Sequence, residues 1–400
     1  MTGTGMPAEE ASQRRQIAAF VVILLTVLTA CWLVLAVLLA PLVPGGGAAV
    51  ILVYALLTEV PLGVFILTRA LGLYAGAVVR LLVFRPLWYA QFVVLLLAPL
   101  GIVGVLAGLP FGRAADAGRA AVLGGGVVVA VLWVAGYVGS RRLEVRRLVA
   151  AFPDLPASLD GLVIAQISDL HVGPQTSQGY LARVNDAVRQ AGPDLIAVTG
   201  DLVDDFPGDV QHYARGLGSL AAPLGVYAIP GNHEVYSGWR AMRPRLEALP
   251  LQLLVNRSVG LRRNGDAFWV AGTGDPAGGR NADVAPDIAQ SLESVPRGGF
   301  VLALAHNPAL WPALAERGVA LTLSGHTHWG QLAFPRLNWC LASPFLELAM
   351  GAHARGGSLL YIHPGTGYWG IPFRLGHAAQ VAVITLRRGE KAELRSEKAG

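Results

Sequence analysis

Cysteine is almost missing from this chain: two in 400 residues, Cys31 inside an apolar run and Cys340 far downstream. Two thiols so placed build no disulfide framework and match no zinc-type spacing, which leaves the redox compartment open. Histidine is absent from the first 150 residues, and all nine lie beyond them. Charge is sparse as well, at 14% of residues against 54% hydrophobic, with a mean hydropathy of +0.50. That balance excludes a single water-soluble globule and puts part of the chain in lipid. No internal repeat at a solenoid period is visible.

The charge that exists is unevenly divided. Residues 1–150 hold eleven Arg against five acidic residues, a balance of +6, and the rest hold 20 basic against 21 acidic, a balance of −1. The pI near 9.4 therefore belongs to the apolar part. A nucleic-acid binder concentrates positive charge on the folded domain that binds, so nucleic acid is not an expected partner.

Four apolar runs, at residues 17–39, 48–68, 87–109 and 120–139, are long enough to cross a bilayer as helices. Residues 1–150 are thus expected to form an all-α transmembrane region of about four helices. Arg14 and Arg15 resemble a twin-arginine export signal, but the run after them is long for a signal core, and no small-residue cleavage site precedes Pro41. Arg14, Arg15, Arg69, Arg80, Arg85, Arg141, Arg142, Arg146 and Arg147 fall on one side of the spans, Arg113 and Arg119 on the other. This asymmetry predicts a multi-pass protein of the inner membrane with both termini, and whatever follows the fourth span, in the cytoplasm.

Glu59, two residues before Pro61, is the one charged residue within the four runs. It has two readings: a transport or proton role, or a carboxylate paired locally or near an interface. The run RRLEVRR (141–147) reads as a stop-transfer flank able to hold the next domain against anionic headgroups. Residues 151–161, with Pro and Asp, read as a linker.

Residues 162–400 have a different texture. Apolar runs of four to eight residues break at Gly or Pro and end in polar residues: IAQISDLH (164–171), LIAVTGDLVDD (195–205), VYAIPGNHE (226–234) and LTLSGHTH (321–328). Such runs read as strands covered on both faces, and the loops at strand carboxyl ends are where α/β sheets place their sites. A carboxylate, imidazole and amide-oxygen set without thiolate suits Mn, Fe or Zn, and two ions about 3.5–4 Å apart can clamp both oxygens of a phosphoryl transfer. One carboxylate must then bridge them. The order from 162 to 229 is β-α-β-α-β, with shorter alternating strands after 253.

The blocks D-x-H, G-D-x-x-D, G-N-H-E, a lone His after a strand, and G-H-x-H, in that order over residues 162–386, resemble the calcineurin-like metallophosphoesterases. GTGYWGIPFRLG (365–376) is similar to the bacterial membrane-associated branch of YkuE and YaeI type phosphodiesterases. The resemblance implies an α+β fold, a four-layer α/β/β/α sandwich over residues 162–400. It implies hydrolysis of a phosphodiester, pyrophosphate or phosphomonoester by a metal-bridging hydroxide. Asp169, His171 and His328 are implied to hold one divalent metal, Asn232, His306 and His326 the second, and Asp201 to bridge. His233 is implied to donate a proton or stabilise phosphoryl charge. Asp204 and Glu234 are expected in supporting hydrogen bonds. His212, His353, His363 and His377 match no metal block, although His353 and His363 flank the late insertion where substrate could reach them.

Trp329 is a departure, standing where the related bacterial proteins usually carry Gly; it is expected to narrow the site or stack on a substrate. Residues 329–351 crowd Trp329, Phe334, Trp339, Phe345, Leu346, Leu348 and Met350 around Pro335 and Pro344. This is expected to be a loop that packs on the domain or offers a lipid-facing patch. Membrane lipids are the expected partner and an amphiphilic phosphate the expected substrate, met by Trp329, Phe345 and Leu346. Two other readings compete. One is a transporter or sensor with a regulatory phosphoesterase domain, favoured by Glu59; the other is an anchored binding protein with a decayed site, which the complete ligand set opposes.

Overall fold

The structure is a computed structural model and describes residues 8–397; the first seven and last three residues, and the side chains of residues 8–22, 24, 69 and 70, Arg14, Arg15 and Arg69 among them, lie outside the described residues. The chain divides after Trp133 into two compact units.

The first unit is helical. Ala8–Leu39 is followed by Gly46–Tyr54, which runs through Ala55–Glu59 into Val60–Ala70. Ala77–Val79 likewise runs through Arg80–Phe84 into Arg85–Gly108, and Ala114–Ser140 begins here and ends in the second unit. Among the described residues four helices are long and apolar enough to cross a membrane. Many of their large apolar side chains, Val37 and Leu82 among them, are exposed within the protein, as helices hydrophobic all round require of a lipid surround. Pro61 has no N–H to close an α turn, and the turn Ala55–Glu59 before it is the wider i to i+5 kind. That spacing stacks Tyr54 over Glu59, and the Tyr54 hydroxyl donates to the carboxylate. Glu59 therefore has a partner on its own helix.

The second unit holds the strands β1 (Leu143–Phe152), β2 (Val163–Ile167), β3 (Leu195–Thr199), β4 (Val226–Ile229), β5 (Gln252–Leu253), β6 (Arg257–Arg263), β7 (Asp266–Gly272), β8 (Val301–Leu304), β9 (Leu321–Ser324), β10 (Ala333–Phe334), β11 (Trp339–Cys340), β12 (Gly351–Arg355), β13 (Ser358–Ile362), β14 (Ala379–Arg388) and β15 (Glu393–Ser396). One sheet runs β15-β1-β14-β2-β3-β4-β5, the other β12-β13-β9-β8-β7-β6, and β10-β11 is a separate hairpin.

Period-2 alternation assigns each side chain to a layer. Ile164, Leu195 and Ala197 point between the sheets, where they meet Phe268, Val270, Leu302, Leu304 and Leu321. Ala165, Ile167, Ile196 and Val198 point the other way, onto the helices Gln178–Ala191, Val210–Leu217 and Trp239–Glu247. In β8 the alternate residues Val301 and Ala303 turn outward to Leu314 and Ile288 of the helical segments on the far face. Helices, sheet, sheet and helices make four layers, as expected. Truncating one of these fully buried aliphatics to Ala costs about 2–5 kcal/mol.

The entry into this unit differs from expectation. β1 lies parallel to β14 over ten residue pairs, from Leu143↔Ala379 to Phe152↔Arg388. Most of RRLEVRR and the first two residues of the expected linker are therefore strand. Its first half is solvent-facing and its second half buried, so the charged residues of an exposed strand end have the composition of a membrane flank. Leu155 and Leu159, within the remainder of the expected linker, are buried between the sheets.

Candidate metal centre

β2, β3 and β4 are mutually parallel in one sheet, and β8, β9 and β13 in the other. Asp169 and His171 follow β2, Asp201 follows β3, Asn232 and His233 follow β4, His306 follows β8, and His326 and His328 follow β9. The carboxyl ends meet at one edge, and there the chain turns sharply. Among the described residues ten non-glycine residues have positive φ, and five of them are Asp169, His171, Asp201, His326 and His328. Each such conformation costs on the order of 1–3 kcal/mol and persists only where the surroundings enforce it. In an extended strand Asp169 and His171, two apart in sequence, would share a face but stand roughly 6.6 Å apart along it; the left-handed turns draw one ligand atom of each to within 4.8 Å. Gly231 is required for a different reason: a Cβ on it would overlap Asp201 Oδ1.

Two donor clusters result. Asp169, His171, Asp201 and His328 place one ligand atom each within 4.8 Å of the others. His171 Nε2 stands 2.9 Å from His328 Nε2, and His328 Nε2 3.3 Å from Asp169 Oδ1. In the second cluster Asn232 Oδ1 lies 2.8 Å from His326 Nδ1 and 3.1 Å from His306 Nε2. Asp201 Oδ2 is common to both, 3.6 Å from His171 Nε2 and 3.3 Å from His306 Nε2. All seven expected ligand residues thus come together.

These residues fit divalent cations. Asp169 Oδ2, His171 Nδ1 and His328 Nδ1 are buried without a hydrogen-bond partner. Burial pushes His171 and His328 well below the usual imidazole range, helped by positive neighbours, and burial and His306 push His326 down to about 4. Neutral imidazole is the ligating form. Burial also raises the Asp169 carboxyl, to about 6. His306 goes the other way: burial opposes its protonation, but Asp201, Asp169 and Asp275 outweigh that and raise it well above the usual range. The negative charge gathered there is charge a cation would neutralise in place of that proton. His306 Nδ1 faces the Thr199 carbonyl at 2.8 Å, so Nδ1–H donates, and Nε2, turned to Asp201 and Asn232, is the nitrogen that would ligate once a cation displaces its proton.

Glu234 accepts from the backbone N–H of Gly231 at 2.8 Å, Asp201 at 3.0 Å and Val203 at 3.1 Å, binding the β3 and β4 loops together. Asp204 stands 3.9 Å from His171 Nδ1 and accepts from Gln175 at 2.8 Å. His233 is half-buried; its N–H donates to Asp201 Oδ1 at 2.9 Å, and its Nδ1 lies 2.7 Å from the Asp204 carbonyl. Burial works against protonating it, and Asp201 and Asp204 outweigh burial and raise its pKa. Asn232, His233 and His326 are the half-buried members, so the centre opens on their side.

The expected substrate residues separate. Trp329 is 8% exposed, at φ 52, packed with Trp311, Ala333 and Leu360, and its indole N–H donates to Ile362 O at 3.0 Å. It is a core residue and presents no open face for stacking. His363 is likewise fully buried, accepting from Gly365 N–H. Phe345 and Leu346 are exposed as expected. Two further residues, both within GTGYWGIPFRLG (365–376), come close to the centre without any local sequence signal. Arg374 is buried and donates to the carbonyls of Gly365 and Gly367, which run beside Asp169. Trp369 places its ring 6.1 Å from that of His233. Only long-range packing brings either to the site.

A two-sheet sandwich with seven Asp, His and Asn donors at its strand ends is the architecture of a metal-dependent α/β/β/α domain. Residues 162–330 match the family model described as calcineurin-like phosphoesterase. The chain is 31% identical over 276 residues to "Transmembrane protein with metallophosphoesterase domain" of Danio rerio, covering 66% of this chain and 62% of that protein. To an "Uncharacterized metallophosphoesterase" of Helicobacter pylori it is 30% identical over 256 residues, 64% and 66% of the two chains. To the Bacillus subtilis "Uncharacterized metallophosphoesterase YkuE" it is 28% identical over 246 residues, 58% and 82%. It spans just under two thirds of the length of the first two. Residues 162–330 form a calcineurin-like metallophosphoesterase domain, and with its four apolar helices the chain is a membrane protein.

Proposed function

We propose that this chain is a membrane-anchored phosphoesterase that holds two divalent cations, Mn, Fe or Zn, and hydrolyses a phosphodiester, pyrophosphate or phosphomonoester. The observation that carries the reading is Asp201 Oδ2, shared between two donor clusters. Asp169, His171 and His328 would hold one cation, Asn232, His306 and His326 the other, and Asp201 both. Such a pair supplies, when bound, a water made nucleophilic at neutral pH and a clamp on the phosphoryl oxygens. His233, fixed at its N–H by Asp201 and at Nδ1 by the Asp204 carbonyl, keeps Nε2 for the proton that the leaving oxygen takes.

The substrate in this reading is an amphiphile such as a phospholipid or a nucleotide-linked lipid, supported by the exposure of Phe345 and Leu346. The domain faces the cytoplasm of a cell with an inner membrane, supported by nine Arg against two across the four spans. The full chain in mixed micelles should contain two equivalents of metal, cleave bis(p-nitrophenyl) phosphate, and prefer lipid phosphates to soluble nucleotides. Metal-free protein, or no turnover on any of these, would overturn the phosphoesterase reading. Faster turnover of nucleotides, unchanged in Phe345→Ser/Leu346→Ser, would overturn only the amphiphile.

A further inference from the structure

We propose that the β10–β11 hairpin, with the segment that follows it, docks on the bilayer surface beside the end of the fourth apolar helix. The inference rests on reading that helix as a membrane span and is independent of which substrate the centre takes. All the contacts below lie within the C-terminal unit, which begins at Val134.

The helix Ala114–Ser140 gives way to Arg141 and Arg142. The Arg141 guanidinium lies over the Tyr137 ring, 4.8 Å from its centroid, and donates to the Tyr137 hydroxyl at 2.6 Å. An exposed Tyr paired with Arg at the end of an apolar helix is the composition of a membrane–water interface. The Phe373 ring packs against Gly136, leaving no room for a Cβ there, and Gly136 O accepts the Arg374 N–H at 2.8 Å. Gly136 is four residues from the helix end, roughly 6 Å along the axis. Phe373 and Arg374 are therefore held at the level where the span leaves the lipid.

The hairpin is bonded to the next residue. Leu375 N–H donates to Gln331 O and Ala333 N–H to Leu375 O, both at 3.0 Å, as one parallel bridge Leu332↔Leu375. Its base is thus about one strand spacing, ~4.8 Å, from the chain that lies on the helix. From there it presents Phe334, Leu337, Trp339, Leu341, Phe345 and Leu346, every one exposed, with Leu337 at the tip 74% exposed and Phe345 81%. Phe334 and Trp339 stack at 6.1 Å and 23°, which stiffens the hairpin. Arg336, exposed at the tip, is the single charged residue between Trp329 and Leu346. An apolar patch whose two charges, Arg336 and the exposed Glu347 that follows Leu346, cancel, and which is tied to the exit of a span, matches a bilayer surface in hydrophobicity.

The same backbone continues to the metal centre. The Gln331 side chain donates to Trp369 O at 3.1 Å and accepts from Trp369 N–H at 3.0 Å, and Trp369 sets its ring 6.1 Å from His233. A docked hairpin would bring the rim of the centre to the headgroup plane.

The test uses the full chain in liposomes of phosphatidylethanolamine and phosphatidylglycerol, in a Cys31→Ser background; Cys340 is buried and stays. An environment-sensitive fluorophore is attached at Leu337→Cys or, as control, at Glu316→Cys, 63% exposed at the amino end of β9, away from the centre. The Leu337 label should be quenched by a shallow spin-labelled lipid at least twofold more than the Glu316 label, and be shielded from aqueous iodide. Equal iodide quenching at both positions would overturn the proposal. Protection of the Leu337 label from both quenchers would overturn it too, by showing a protein surface, such as a second copy, on the hairpin. Cleavage of bis(p-nitrophenyl) phosphate by each labelled protein verifies an intact centre. Lipid quenching without lipid turnover would uphold docking and remove only the amphiphile.

Discussion

His171 and His328 bring their Nε2 atoms to 2.9 Å, with ring centroids 4.9 Å apart and planes 27° from parallel. Burial favours the neutral form of both imidazoles, in which either ring nitrogen can hold the lone pair, and the paired Nε2 atoms lie where Asp169 and Asp201 also offer a ligand atom. Such a set is stable when a cation takes the lone pairs, and that is the basis of the first prediction.

Asp201→Asn removes the shared carboxylate and should lower occupancy at both metal positions and turnover by orders of magnitude. His233→Ala should keep two metals and lose about 10²–10⁴ of the rate. Metal analysis beside hydrolysis separates the two; full double occupancy in Asp201→Asn would sink the bridging role.

Glu234 is fully buried under three backbone N–H donors. Glu234→Ala leaves them unpaired at about 1–3 kcal/mol each, so the domain should lose at least about 3 kcal/mol. Chemical unfolding of the metal-free protein measures this, and a loss under about 1 kcal/mol would mean water replaces the carboxylate.

A fragment begun at Asp154 lacks β1, which lies between β14 and β15 and buries Leu148, Ala150 and Phe152 between the sheets. It should aggregate, whereas a fragment begun at Arg141 should be monodisperse and bind metal. Equal melting temperatures for the two would contradict the placement of β1.

The orientation prediction is read with reporters. A fluorescent protein fused after Gly400 should fold and fluoresce, and alkaline phosphatase at the same position should be inactive. Active phosphatase there would mean an exported domain or an odd number of spans.

What the sequence determined by itself is what is local. A span needs some twenty uncharged residues in a row, and a metal block is a short apolar strand that breaks into Asp, Asn or His, so the four helices and the seven converging residues were legible in order. The tertiary structure alone decided what depends on distant partners. β1 has the charge pattern of a membrane flank because half of it lies in water, and only pairing with β14, more than 200 residues later, makes it a strand. Trp329 sits beside His328 in sequence yet packs in the core with Trp311, Ala333 and Leu360, at a left-handed turn whose cost of about 1–3 kcal/mol is met by surrounding contacts. Arg374 and Trp369 reach the centre, and the hairpin at 333–340 reaches the end of a span, through hydrogen bonds between segments far apart in the chain, which no periodicity within a segment encodes.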